Sequence, residues 1–352
     1  MRKVILPACL ILLLVMGGGC NGQSSAPVQE YQRQSMVMDT LISIQVWASD
    51  SASGKSALDA AFAEFIRIDH LCDRFALKKL SDPNVSDVYR ININAGIKPT
   101  VVSDDVLAML KQSQRMAYLS KGAFDVTVGP LMDCWGFTTK QYRVPADTEL
   151  KAALSLVDYR QVVVDEQKKT VFLPRKGMEI DLGGVAKGYA TDRAAQKLRE
   201  MGIKSALINA GGNIYALGAK PDGSAWSTGI QDPRNPNQII AIIKVKNQAV
   251  VSSGDYERYF IRDGIRYHHI LDPATGKPAR QLIATTIVGP SATEADLLST
   301  TLFVTGSQTG TALVGQLANV NAVFVDEAKN IRTTPGLVDR IEVIKESGYH
   351  LK

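Results

Sequence analysis

The chain has 352 residues, of which 45% are hydrophobic and 21% are charged, and this composition is typical of a globular protein rather than a disordered or fibrous one. The formal net charge of +5 is too small and too scattered to favour a nucleic-acid partner, and the four cysteines show no zinc-type spacing. The length is sufficient for a large core, in one domain or in two intimately joined lobes.

The N-terminus is typical of an exported bacterial lipoprotein. A basic start precedes an apolar run over 4–16, and three glycines lead to Cys20. The run is too short to span a membrane and predicts a signal peptide over 1–19. Cys20 would then be the lipidated N-terminus of a protein anchored to a membrane of the cell envelope, facing the periplasm or the outside. Gly17 departs from the leucine that such signals usually carry, and Cys9 fits locally better, but cleavage there would leave the apolar run attached.

A flexible tether is predicted over 20–30, because NGQSSAPVQE is polar and rich in small residues. The folded domain is predicted over 31–350. Besides the lipidation candidate, the mature chain keeps Cys72 and Cys134. These two could form a disulfide in an oxidising compartment or remain free and buried.

In the first half of the domain, apolar periodicity and helix caps predict both strands and helices. The predicted elements are a strand over 36–48, a helix over 56–75, a loop over 78–87, a helix capped by Ser103 and running to about Leu119, a short helix from Asp147 and a hairpin over 162–173. The segment 121–137 has no clear period.

The second half is predicted to contain more strands than helices. Helices are predicted from the turn at 181–184 to Met201, over 292–306 and over 309–320, and strands over 205–218, 239–246, 249–254, 256–273, 321–327 and 340–346. Asp263-Gly264 is a strong hairpin signal. Because strands and helices mix without regular alternation, the sequence predicts an α+β fold with mostly antiparallel sheets packed with helices, and a possible boundary near 140–147.

A glycine-rich turn connects a strand to a helix within EIDLGGVAKGYATDRAAQKL, residues 179–198. Gly183 and Gly184 would let the backbone approach a ligand, and the first amides of the helix would be free to bind phosphate. The spacing matches neither a Walker loop nor a dinucleotide fingerprint. The alternative is an ordinary turn capped by Asp181, with Lys187 in solvent.

A second pattern occurs in TEADLLST, residues 293–300. Asp296 and Thr300 are four residues apart and therefore share one helical face. A carboxylate and a hydroxyl, completed by a backbone carbonyl and waters, suit a hard cation such as Mg2+. The alternative is an acid favoured by the helix dipole beside a core threonine.

A third pattern is the pair His268 and His269 at the end of a strand, before the turn DPATG. Adjacent strand residues face opposite sides, so at most one of the two histidines points into a given pocket. That histidine could act as a general base towards a hydroxyl nucleophile. The alternative is a hydrogen-bonded histidine at a strand end, with Asp272 as an ordinary turn former.

Eight motifs follow one another along the chain: MDT (38–40), CDRF (72–75), GAFDVTVGPLMDCWGF (122–137), DLGGVAKGYATD (181–192), NAGGNI (209–214), SSGDYERYF (252–260), HHILDPATGKP (268–278) and ADLLSTTLFVTG (295–306). Their wording and their order resemble the ApbE family of flavin transferases. The resemblance extends from about Tyr31 onward and implies an ApbE-like fold. It implies an FAD:protein FMN transferase that needs Mg2+ and moves FMN from FAD to a Ser or Thr hydroxyl of an exported flavoprotein, releasing AMP. The acceptor could be a subunit of an ion-pumping respiratory complex. Alternatives are an FAD pyrophosphatase and a flavin-binding lipoprotein without catalysis.

The resemblance also assigns residues. Mg2+ would be bound by the carbonyl of Ala186 and the side chains of Asp296 and Thr300, with Ser299 where many relatives have a further polar or acidic group. His269 would be the base, with Asp272 and Asp181 shaping the site. Flavin contacts would come from Met38, Phe75, Ala123, Phe124, Asp125, Gly183, Tyr189 and Ile270. Asp39 replaces the family's usual glycine, and Phe75 stands where relatives often have tyrosine.

Overall fold

The computed structural model of the chain describes residues 28–75 and 85–352. The predicted signal peptide, Cys20 and all but the end of the predicted tether lie outside the described residues. Among the described residues, no helix combines the length and the apolar character that crossing a bilayer requires.

Helices occur throughout the described chain. Their bounds are α1 Ser51–Cys72, α2 Asp87–Ile93, α3 Asp104–Leu119, α4 Gly129–Trp135, α5 Asp147–Leu154, α6 Ala186–Glu200 and α7 Ala292–Val314.

Strands are more numerous and mostly short. Their bounds are β1 Gln29–Val37, β2 Thr40–Ala48, β3 Thr100–Val101, β4 Val163–Asp165, β5 Thr170–Phe172, β6 Ala206–Ala210, β7 Asn213–Leu217, β8 Trp226–Asp232, β9 Asn235–Val245, β10 Gln248–Gly254, β11 Tyr259–Arg262, β12 Ile265–His268, β13 Ala284–Gly289, β14 Asn321–Val325, β15 Asn330–Thr333, β16 Ile341–Val343 and β17 His350–Leu351.

The central element is a nine-stranded sheet in the order β1-β2-β6-β7-β10-β13-β14-β15-β17. Its neighbouring strands are antiparallel except β15 and β17, which are parallel. Three smaller sheets, β16-β9-β8, β3-β5-β4 and the hairpin β11-β12, complete the described part. The predicted α+β fold with mostly antiparallel sheets is therefore confirmed.

The nine-stranded sheet is covered on both faces. Helices α1, α6 and α7 pack on one face, where they share a core with alternate residues of β2, β6, β7 and β10. The small sheet β16-β9-β8 packs on the other face through apolar residues such as Trp226 and Ile243. Helices α6 and α7 are therefore held against the sheet by a buried core. Their positions are important because both helices contribute residues to the cavity described below.

The predicted strand over 36–48 is wrong in its first part. Met38 and Asp39 form the turn between β1 and β2, with φ angles of 56° and 57°. Neither residue has the conformational freedom of glycine, and alternation alone could not reveal this turn. The preceding strand takes in Gln29 and Glu30, the last two residues of the predicted tether.

Helix ends differ from the predictions where a cap decides them. Helix α1 begins at Ser51 because the carboxylate of Asp50 accepts a hydrogen bond from Ser53 N at 2.9 Å. The helices predicted over 292–306 and 309–320 form one element, α7, that is interrupted at Gly306, where φ is 77° and ψ is 174°. Two helices and five strands of the described chain have no counterpart among the predicted elements: α2, α4, β3, β8, β13, β15 and β17.

Other local predictions are confirmed. Ser103 caps α3, and α6 ends just before Gly202, whose φ is 80°. The turn at Asp263-Gly264 joins β11 to β12. For Cys72 and Cys134 the sequence leaves both a disulfide and the free state open, and in the structure the two cysteines are free.

Candidate active site

One cavity of about 620 Å³ collects the motifs identified in the sequence. Its walls come from the β1–β2 turn, the end of α1, the segment after α3, the glycine turn before α6, the end of β10, the segment after β12, and α7. All but three of the predicted cofactor, metal and catalytic residues of the mature domain line it: Met38, Phe75, Ala123, Phe124, Asp125, Asp181, Gly183, Ala186, His269, Ile270, Asp296 and Thr300. The volume lies within the range of small-molecule and cofactor sites.

The glycine turn forms one wall of this cavity, which we call the active cleft. The side chain of Asp181 accepts a hydrogen bond from Gly183 N at 2.7 Å, and this bond closes the turn. A Cβ on Gly184 would lie 3.0 Å from the ring of Phe124 and 3.7 Å from Thr300 Oγ1. A side chain at this position would therefore intrude between the turn, the aromatic wall and α7.

Helices α6 and α7 are fixed against each other by two carboxylates. Asp192 of α6 accepts hydrogen bonds from Ala292 N at 2.8 Å and from Thr293 N at 2.9 Å, and so caps α7. Asp296 of α7 accepts a hydrogen bond from Gly188 N at 2.8 Å, near the beginning of α6. These contacts hold the first turn of α6, which contains Ala186, beside Asp296.

The oxygen donors of this region fit a magnesium ion. Burial raises the pKa of Asp296, an effect opposed by the nearby charge of Lys187, so the carboxylate lacks full compensation for its burial. Thr300 Oγ1 and the carbonyl of Ala186 add uncharged oxygens of the kind that Mg2+ accepts, and Mg2+ typically keeps waters and substrate phosphates as its remaining ligands. Among the described residues, no group of three or more His, Cys, Asp or Glu side chains is arranged to hold a metal.

The two histidines face opposite sides of their strand. His269 lines the active cleft, with its backbone N donating to Arg258 O at 3.0 Å and its ring edge-on to Phe137. Among the described residues His269 Nδ1 has no hydrogen-bond partner. Burial and the charges of Arg258 and Lys187 hold the pKa of His269 well below 6.5, so its imidazole is neutral and can accept a proton. His268 faces away, and its Nε2 lies 2.8 Å from Ala279 O.

Three predicted site residues do not line the active cleft. Asp272 accepts hydrogen bonds from Ala274 N at 2.9 Å and Thr275 Oγ1 at 3.1 Å, as a turn former does. The hydroxyl of Tyr189 donates to Asp105 at 2.9 Å. Ser299 is fully buried, and its hydroxyl lies 2.7 Å from the hydroxyl of Ser253. The side chains of Asp272, Tyr189 and Ser299 therefore form hydrogen bonds within the protein near the cleft and do not form its surface.

A buried guanidinium that sequence reasoning missed supports the glycine turn. Arg74 donates to Asp133 at 3.0 Å, to Glu179 at 2.5 Å and to Asp181 at 3.2 Å. It therefore ties the helix α4 and the glycine turn to the end of α1. The motif CDRF contains this residue, but no local pattern indicates that three carboxylates from distant segments converge on it.

Asp125 stabilises the wall of the cleft through hydrogen bonds to the backbone. Its carboxylate accepts hydrogen bonds from Thr127 N at 2.8 Å and from Tyr159 N at 2.9 Å, and burial raises its pKa. Further cleft residues that the sequence analysis assigned no role are Asp69, His70, Asn213, Ser252, Glu257 and Arg258. Several of these belong to the motifs NAGGNI and SSGDYERYF, so their positions were marked, but nothing indicated their function.

The chain is similar in sequence and fold to known flavin transferases. The family model described as the ApbE family matches residues 38–324. An FAD:protein FMN transferase of Treponema pallidum is 35% identical over 351 residues, which cover 95% of this chain and 94% of the relative. The crystal structure of an ApbE protein from Thermotoga maritima is 34% identical, with a TM-score of 0.79 over 88% of this chain and 98% of that one. The flavin transferase ApbE of Vibrio cholerae is 26% identical, with a TM-score of 0.78 over 89% of this chain and all of the other.

Proposed function

The chain belongs to the ApbE family, and we propose that it is an Mg2+-dependent FAD:protein FMN transferase that attaches FMN to a Ser or Thr hydroxyl of an exported flavoprotein and releases AMP. The observation that carries the proposal is the convergence of three distant segments on one cavity. The beginning of α6, the acid of α7 and the histidine after β12 all line the active cleft. A flavin carrier without catalysis would need neither a buried carboxylate nor an unpaired neutral histidine.

Different residues of the cleft would bind the rings, the diphosphate and the metal ion. Met38, Phe75 and Phe124 offer apolar and aromatic surface to the ring systems of FAD. The carbonyl of Ala186 and the side chains of Asp296 and Thr300 would hold Mg2+, which when bound neutralises charge on the diphosphate and on the departing AMP. Gly183 and Gly184 let the backbone pass close to the diphosphate.

His269 would serve as the general base. The acceptor oxygen attacks the phosphorus of the FMN half, the bond from that phosphorus to the AMP oxygen breaks, and the hydroxyl proton passes to the imidazole of His269. The products are a phosphoester of FMN with the acceptor and free AMP. A depressed pKa suits this role because the imidazole is unprotonated before the reaction begins.

The experiment is to incubate the purified protein with FAD, Mg2+ and an exported flavoprotein domain, and to measure the mass of the intact acceptor and the AMP formed. The proposal predicts a gain of one FMN unit with one AMP released per modified acceptor. AMP release without any mass gain, at the same rate with and without acceptors, would instead identify an FAD pyrophosphatase. No reaction with several acceptors from a well-folded protein would contradict both activities.

We further propose that the protein is anchored to a membrane of the cell envelope through an acylated Cys20. The support is the sequence alone: a basic start, an apolar run and three glycines before Cys20. Labelling of cells with a clickable palmitate analogue should mark the wild-type protein and leave Cys20→Ala unmarked. Equal labelling of both proteins would refute the anchor.

A further inference from the structure

A second cavity, of about 390 Å³, lies on the side of β12 that faces away from the active cleft. We call it the arginine groove, because Arg234, Arg266 and Arg280 line it together with Asp255, His268 and Glu327. One wall is the face of the hairpin β11-β12 that carries Ile261 and Arg266, which are opposite each other in the strand register.

The groove is lined by more arginines than acidic side chains. Arg234 binds both oxygens of Asp255, at 2.7 and 3.0 Å, and lies 3.9 Å from a carboxylate oxygen of the exposed Glu327. Arg266 and Arg280 form no ion pair with any carboxylate of the described residues. Instead, the guanidinium of Arg266 lies 3.9 Å from the ring centroid of Tyr259, and that of Arg280 lies 5.5 Å from the ring centroid of Tyr267. Arg266 also donates to the backbone carbonyl of Asp255 at 3.3 Å. Within the described part of the chain, the groove therefore presents two guanidinium groups that pair with no carboxylate.

The groove and the active cleft share one strand end. His268 lines the groove and His269 lines the cleft, and the Cα atoms of adjacent residues are about 3.8 Å apart. At the other strand of the hairpin, Arg258 lines the cleft and is followed directly by β11. A protein–protein interface of ordinary size covers about 800 Å² on each partner. Arg258 and His269 flank this hairpin, so an acceptor protein that places its hydroxyl beside His269 and forms an interface of this size would also cover the hairpin β11-β12.

We propose that the arginine groove docks an acidic segment of the acceptor protein while the acceptor's hydroxyl enters the active cleft. This inference rests on the proposed transferase function and adds to it a recognition site for the protein substrate. The groove is open and lined by guanidinium groups that can donate paired hydrogen bonds, which is the geometry that recognises carboxylates.

The test is a charge reversal at an exposed position with a matched control. Arg280→Glu reverses a charge of the groove, whereas Arg262→Glu makes the same change at an exposed position of the neighbouring hairpin β11-β12 that lies outside the groove. The KM for the acceptor should rise about three- to tenfold in Arg280→Glu, as expected for partly exposed charge pairs. The kcat at saturating acceptor, the KM for FAD and the melting temperature should stay at wild-type values, and Arg262→Glu should match wild type in all four.

A binding measurement without chemistry completes the test. Affinity of the acceptor for the protein in the absence of FAD should fall in Arg280→Glu and should fall with rising salt in the wild type. Unchanged acceptor KM and affinity, or an equal effect of the two variants, would overturn the proposal. Loss of binding to vesicles of anionic lipid with an unchanged acceptor KM would also overturn it, because the groove would then face a membrane. A wild-type protein that binds an acceptor but modifies none would refute the proposed function and not the docking site.

Discussion

Replacing Gly188 by alanine would separate the two helices that carry the metal site. A Cβ at this position would lie 2.3 Å from the carbonyl oxygen of Ala292 and 2.7 Å from Asp296 Cβ, whereas ordinary contacts begin at 3.4 Å. Helices α6 and α7 would therefore have to move apart by about 1 Å, and the hydrogen bond from Gly188 N to Asp296 would lengthen.

The expected cost to activity is larger than the cost to stability. Overpacking destabilises by about 1–3 kcal/mol, and the better helix propensity of alanine offsets about 1 kcal/mol of that. A displacement of about 1 Å in a catalytic arrangement can lower the rate about 100-fold. We expect FMN transfer to fall about 100-fold and the Mg2+ concentration for half-maximal rate to rise, while the free energy of unfolding falls by no more than about 2 kcal/mol.

The assay is FMN transfer as a function of Mg2+ concentration, beside urea unfolding. Gly315→Ala is the matched control, because it changes a residue at the end of α7 with a φ of −60° and its Cβ would meet only ordinary contacts of 3.4 and 3.6 Å. It should behave as the wild type. Normal transfer and a normal Mg2+ requirement in Gly188→Ala would refute the reasoning that the packing of α6 on α7 positions the metal ligands.

Three further predictions follow from the charges of the cleft. Because burial, Arg258 and Lys187 lower the pKa of His269, the acidic limb of the pH profile of kcat/KM should lie below pH 6.5, and a limb at or above 6.5 would contradict a depressed histidine as the base. Asp296→Asn should raise the Mg2+ requirement at least about tenfold. The Asp296→Asn variant should also be more stable than the wild type in the metal-free state at pH 7. Burial raises the pKa of Asp296 in the folded protein, so above the pKa of the unfolded state the ionised carboxylate opposes folding. A lower melting temperature of the variant would contradict this. Arg74→Met should lower the free energy of unfolding by about 2–3 kcal/mol at pH 7 and by less at pH 5. Burial raises the pKa of Glu179, so its protonation at the lower pH relieves part of the charge that Arg74 no longer balances, and an equal loss at both pH values would contradict that cause.

The sequence predicted well the elements whose ends are set by local chemistry. Ser103 satisfies amides of its own helix, and Asp263-Gly264 adopts the positive φ angles of a tight hairpin, so neighbours along the chain decide both features. The turn at Met38 and Asp39 was missed for the opposite reason. No glycine marks this turn, and Met38 has no preference for positive φ, so the pairing of β1 with β2 imposes a conformation that Asp39 tolerates.

The cleft was predictable only in part, because it is assembled from distant segments. The glycine turn, Asp296 with Thr300, and His269 could be named from spacing and from the family resemblance, and the fold brings them to one cavity. The buried position of Ser299 and the contacts of Tyr189 with Asp105 depend on which helix face packs inward at that place. The convergence of carboxylates on Arg74 likewise depends on the tertiary fold.

The most direct test of the account is diffraction from crystals soaked with FAD and Mn2+, which scatters anomalously and replaces Mg2+ at sites with oxygen ligands. We expect one anomalous peak bonded to the carbonyl of Ala186, the carboxylate of Asp296 and the hydroxyl of Thr300, with the FAD diphosphate on its open side and His269 facing the phosphorus of the FMN half. A peak elsewhere, or FAD bound with its diphosphate away from α6 and α7, would contradict it.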